Sequence, residues 1–132
     1  MLLIIYTILI GYMLFFTICI APVITSTLDR ENASKLLRKI FPKNFKFGLI
    51  VSVIAALFSI FEKNITSLSL SIALIVFFLI NLFYVMPNIN AVADEDKNNN
   101  IHSNKFKILH SISVILYLIN MLISITGIII CY

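Results

Sequence analysis

Four stretches of the chain are nearly unbroken runs of apolar residues, at 2–23, 45–61, 68–86 and 108–132. About 20 such residues in a helix cross the roughly 30 Å of hydrocarbon in a bilayer. Each run therefore predicts one membrane span, the second being short and borrowing toward Phe41. Backbone groups in lipid must be satisfied within the protein, which leaves helices or a closed barrel. The two-residue alternation of a barrel strand is absent from these runs, so they are read as helices. The predicted architecture is an all-α integral membrane protein, a single domain over residues 1–132 with a bundle of four transmembrane helices.

The linkers follow other rhythms. In residues 29–41, Ala33, Leu36, Leu37, Ile40 and Phe41 share one helical face while Arg30, Lys35, Arg38 and Lys39 look elsewhere. That pattern predicts an amphipathic helix lying at the membrane interface and ended by Pro42. Residues 88–104 carry Asp94, Glu95, Asp96 and Lys97 and then three asparagines, which predicts a solvated, mobile loop. Small residues mark where the helices meet, because helix pairs in lipid favour close approach and hydrogen bonds across the interface. Gly48, Ser52, Ala55 and Ser59 form such a groove on span 2. His110, Ser113, Tyr117, Asn120, Ser124 and Gly127 form a polar stripe on span 4, and Ser67, Ser71, Asn81 and Asn88 supply a similar sector on span 3.

Composition agrees with this pattern. Hydrophobic residues make up 61% and charged residues 12%, with a mean hydropathy of +1.05, whereas soluble domains run nearer half and a quarter. Six basic residues (Arg30, Lys35, Arg38, Lys39, Lys43, Lys46) lie between spans 1 and 2, and three (Lys97, Lys105, Lys107) between spans 3 and 4. Only Lys63 separates spans 2 and 3. By the positive-inside rule the first and third linkers are cytoplasmic and both termini lie outside. No Lys or Arg precedes Arg30, and the first run is about twice the length of a signal-peptide core, so it is expected to remain as a helix. Isoleucine, asparagine and lysine abound, as in proteins of AT-rich bacterial genomes. A helical protein of a bacterium belongs in its inner membrane, since outer-membrane proteins are barrels.

Candidate chemistry is sparse. The spans hold no Asp or Glu for a carboxylate relay, and the chain shows no metalloprotease motif, no phosphate-cradling glycine loop and no catalytic triad. Cys19 and Cys131 sit in apolar runs and are expected to be buried, small apolar side chains. His110 lies three residues past Lys107, about 4.5 Å deeper at the helical rise. It is open to two readings, a ligand or metal contact or a packing residue bonded to a neighbouring helix. His102 is expected in the loop, which makes a two-histidine metal site weak. Asn81, about 9 Å before Pro87, offers a buried amide that packs helices or touches a ligand. The sequons at Asn32 and Asn64 are discounted on this topology.

Four short patches resemble those of the transmembrane protein 205-like family. They are Gly11, Phe15 and Phe16 with Ala21-Pro22; Lys39, Phe41, Pro42 and Phe45; Asn81 with Pro87; and Phe106, His110 and Ser113. The resemblance covers most of the chain. It implies a multi-pass membrane protein with no settled biochemical activity, and one departure is Asn88, where many relatives carry Arg. All four patches fall at the cytoplasmic ends of their spans. The expectation is that Pro22, Phe41, Pro42, Asn81, Pro87, His110 and Ser113 meet there in one shallow pocket or helix-end clamp.

The function expected from these residues is non-enzymatic: binding of a lipid, small molecule or protein at that cluster, without a cofactor. The expected partners are membrane lipids and a second copy or another membrane protein, not nucleic acid. A transporter or channel subunit is the alternative. A haem- or quinone-linked redox subunit using His110 is a third reading, although a bis-histidine haem needs a second intramembrane histidine.

Overall fold

The computed structural model describes residues 1–100 and 104–132. Four long helices account for nearly all of it: α1 Leu2–Thr27, α2 Arg30–Phe61, α3 Ile65–Asn99 and α4 Asn104–Cys131. Among the described residues there is no strand. Each helix is long and apolar enough to cross a membrane. They pack in a ring, each against its sequence neighbours, with α4 closing against α1. This is the up-down-up-down arrangement that short connections impose.

Local chemistry sets the turns. Leu28 is extended, and the Asp29 side chain accepts from the Asn32 N–H at 3.3 Å to cap α2. Asn64 caps α3 in the same way, accepting from the Ser67 N–H at 3.0 Å. Between them the chain reverses through Lys63, which takes a positive φ of 52°. Asn100 ends α3 in the left-handed conformation, φ 55° and ψ 33°, a common helix terminator for asparagine.

The prolines do not stop the helices, and here the structure departs from the sequence expectation. Residues 29–41 are not a separate interfacial helix ended by Pro42. They are the first turns of α2, which runs on through Pro42 to Phe61. A proline inside a helix costs about 3 kcal/mol. Packing on both sides offsets that cost, with Ala33 and Phe45 buried and Phe41 set among aromatic rings. Residues 88–99 are likewise helical rather than a mobile loop, with Met86 and Ile89 buried beneath them. The predicted loop residue His102 lies outside the described residues. At 1.5 Å per residue, α2 and α3 are about 48 and 52 Å long, so both continue past the hydrocarbon at the basic end.

Pro22 and Pro87 are accommodated differently from Pro42. Each lies just after a widened π-turn, Phe16–Ile20 in α1 and Asn81–Val85 in α3. The Ala21 N–H reaches back five residues to the Phe16 carbonyl, and the Met86 N–H to the Asn81 carbonyl. A proline has no N–H to give the carbonyl four residues back and presses its ring against it. The wider turn moves that carbonyl aside, so the helix survives.

The bundle interior combines aliphatic packing with a line of small polar residues. Tyr6, Leu9 and Met13 of α1 meet Ala55 of α2 and Leu74 and Phe78 of α3 in the core. Ser52, Ser59, Ser67, Ser71, Asn81, Asn120 and Ser124 are all essentially inaccessible. Ser52, Ser59 and Ser124 donate to carbonyls of their own helices four residues back, at 2.7, 2.7 and 2.9 Å. The groove and stripe expected from small residues thus face inward, except that His110 and Asn88 are exposed. Cys131 is half-buried, but Cys19 is exposed, not buried as expected: its position on the π-turn faces away from the bundle.

Candidate functional site

A cavity of about 270 Å³ opens at the basic end, between all four helices. Its floor is aromatic. Phe16 of α1 sits edge-on to Phe41 of α2 at 5.4 Å and to Tyr117 of α4 at 6.4 Å. Phe45 stacks on Phe41 and meets Tyr117 edge-on, both at 6.0 Å. The Tyr117 hydroxyl accepts from the Asn44 amide at 3.1 Å, which anchors the ring to α2. Met86, Ile89 and Ala93 of α3 and Val114 and Leu118 of α4 complete apolar walls.

Polar groups gather toward the mouth: Ser34, Arg38, Asn90 and His110. The His110 ring is exposed and lies parallel to Phe106 one turn earlier, at 6.1 Å. Arg38 reaches across from α2 to α3. Its guanidinium donates to Asp94 at 2.7 Å and to the Asn90 carbonyl at 3.3 Å. The hydrogen bond from Arg38 holds the Asp94 carboxyl below its ordinary range. Farther out, Glu31 pairs with Lys35 at 3.0 Å and with Lys97 of α3 at 3.8 Å. These two lysines, Lys35 foremost, hold the Glu31 carboxyl below its ordinary range in the same way. The side-chain hydrogen bond from Asn32 does so for Asp29. Ion pairs therefore tie together the parts of α2 and α3 that project past the membrane.

Of the seven residues expected to cluster, Phe41, His110 and Ser113 line the cavity. Asn81 lies buried beneath it and donates to the Ser113 carbonyl at 3.4 Å, joining α3 to α4. Pro22, Pro42 and Pro87 flank the lining residues Ala21, Phe41 and Met86 without lining the cavity themselves. Among the lining residues not foreseen as part of the cluster are Arg38, Asn90, Ala93 and Tyr117. Arg38 had a signal, since Arg38, Phe41 and Phe45 are spaced by three and four residues, which sets a cation one turn before two rings at the border of the apolar face. Ala93 and Asn90 had none, because their segment reads as a polar loop. Among the described residues, no group of three His, Cys, Asp or Glu side chains is placed to hold a metal. Four buried polar atoms, Tyr12 Oη, Asn81 Oδ1 and both amide atoms of Asn120, have no hydrogen-bond partner among the described residues.

Four apolar helices ringed in this way make the chain a multi-pass integral membrane protein. Residues 4–98 match a family described as a domain of unknown function, DUF4149, and the chain belongs to that family. The matched stretch takes in α1, α2 and nearly all of α3, hence the Arg38 side of the cavity; the His110 wall on α4 lies beyond it. No curated protein matches the chain, and no solved structure does.

Proposed function

We propose that this chain is a non-enzymatic binding protein of a bacterial inner membrane, holding an amphiphile in the cavity at its basic, cytoplasmic end. The observation that carries the reading is the shape and chemistry of that cavity: apolar walls from four helices beneath a polar mouth. Ligand sites are commonly concave and mostly apolar, with a few convergent polar groups that fix orientation. The excess of basic residues on the linkers at this end supports the cytoplasmic placement and attraction to anionic lipid headgroups. The resemblance to the transmembrane protein 205-like family belongs to the same proposal, since two of its four patches supply lining residues from α2 and α4 and a third supplies Phe16 and Ala21.

The test is to purify the protein in mild detergent, extract what it carries and identify it by mass spectrometry, beside an Ala93→Trp variant that fills the cavity. An amphiphile near one per chain in the parent and absent from a folded variant is the expected result. Equal amounts in both, or none in the parent after gentle reconstitution with native lipids, overturns the reading.

A further inference from the structure

Arg38 is the one permanently charged side chain lining the cavity among the described residues, and it is already engaged by a carboxylate of the same chain. Resting on the amphiphile reading above, we infer that the occupant is an anionic phospholipid of the surrounding bilayer, with one acyl chain in the aromatic cavity and its phosphate on Arg38. Asp94 is then the internal stand-in that holds Arg38 when no lipid is bound.

The geometry supports each part. The Arg38–Asp94 pair is open to solvent, with side-chain exposures of 34% and 59%. Exposed pairs of this kind contribute little, because water screens them, so Asp94 orients the guanidinium without locking it. A phosphate accepts two parallel N–H bonds from a guanidinium fork, a stronger arrangement than a single contact. His110 faces the same mouth from α4, and its exposed ring can donate to a second phosphate oxygen. Lys105 and Lys107 lie within two turns of it on the same helix and are exposed, adding positive potential at the rim.

The bilayer is favoured over solution as the source. Phe106, Val114 and Leu118 of α4 line the cavity and are 38%, 44% and 50% exposed, so this wall of the cavity is open rather than sealed by a neighbouring helix. A chain can therefore enter sideways between helices without crossing water. A cavity of about 270 Å³ is at or below the small end of ligand pockets, roughly 300–1,000 Å³. It suits one alkyl chain, leaving a second chain among the neighbouring lipids.

The test uses the full chain in phosphatidylcholine nanodiscs doped with phosphatidylglycerol of the same acyl chains. Bound lipid is read by native mass spectrometry, and folding is checked by thermal scan. The parent should retain phosphatidylglycerol over phosphatidylcholine. Arg38→Gln should lose that preference, retaining the two lipids in equal amounts. Asp94→Asn, which removes the competitor but keeps the helix, should raise phosphatidylglycerol binding about two- to five-fold, the span expected when a surface ion pair no longer competes.

Equal retention of the two lipids by parent and Arg38→Gln overturns the anionic inference while leaving the cavity reading intact. Failure of both lipids to bind the parent, with no change in Ala93→Trp, overturns the cavity reading itself. A loss of preference in Arg38→Gln with no gain in Asp94→Asn overturns the role of Asp94. If Arg38→Gln does not fold, Asp94→Asn alone decides the matter. Binding of free laurate without phosphatidylglycerol overturns the bilayer source.

Discussion

The two ends of the bundle are built on opposite plans. At the end away from the basic linkers, the helices are held by close backbone approach and a buried hydroxyl. Gly127 of α4 lies against the face of Tyr6, where an added Cβ would come within 2.7 Å of the ring. The Tyr6 hydroxyl donates to the Ser67 carbonyl at 2.9 Å and, with its one proton so committed, accepts from Ser71 Oγ at 2.9 Å. At the basic end the helices stand apart around a cavity and are tied by exposed ion pairs. In lipid the helices gain nothing from hiding apolar surface, so tight packing and internal hydrogen bonds hold one end together. The other end is free to stay open, and an opening is what a ligand requires.

The contrast can be broken most severely at the glycines. At Gly48, an added Cβ would collide with the Tyr12 hydroxyl and the Phe78 ring. Gly48→Leu and Gly127→Val should each cost about 3 kcal/mol or more, at or beyond the top of the usual overpacking range. Denaturing-detergent titration should show the loss as earlier unfolding. Adding far more volume at the open end should cost much less. Ala93→Trp is expected to stay within about 1 kcal/mol of the parent in the same titration, because its indole enters existing space. A collapse of Ala93→Trp as deep as that of Gly127→Val would remove the distinction between the ends.

Smaller effects sharpen it. Tyr6→Phe forfeits both hydrogen bonds with little change in packing, and should cost about 0.5–1.5 kcal/mol. No lipid-binding change should accompany it, since Tyr6 sits at the far end. The ion pairs should respond to acid. Asp94 and Glu31 ionise below their ordinary values of 3.8 and 4.5. A carboxyl lowered on folding adds stability above its unfolded value and loses it as pH falls through the folded one. The projecting turns of α2 and α3 should therefore stay joined at pH 5 and separate only below about pH 4, with the spans still helical. Spin labels at Asn32 and Asn98 would report the separation as a longer distance.

Much of the fold was legible because lipid simplifies the code. Run length and charge placement suffice for four helices, and the positions of Gly48, Ser52, Ala55, Ser59, Asn120 and Ser124 already identified the inner faces. What misled was one proline and one polar stretch. Pro42 read as a helix end, because its local cost is visible in sequence while the packing that offsets it is not. The polar, asparagine-rich composition of residues 88–99 read as a loop, and with them went Asn90, Ala93 and the partner of Arg38. Part of the site was therefore visible, namely Phe41, His110 and Ser113, while the α3 wall was hidden by a local rule that tertiary contacts override.

Each widened turn also carries a message about phase. A π-turn holds one residue more than an α-turn, and one residue is worth about 100° of rotation. Across this turn the buried positions run from Leu74 and Phe78 through Asn81 and Leu82 to Val85, Met86 and Ile89. The segment beyond the π-turn is in effect dialled to its angle by that extra residue. Straightening the five residues of this turn into an ordinary α-helix, with none removed, would swing residues 86–99 by about a hundred degrees. Asn90, Ala93 and Asp94 would then face away from Arg38 with every side chain unchanged. The α3 wall of the cavity is thus set by where the chain counts its residues as much as by which residues it counts.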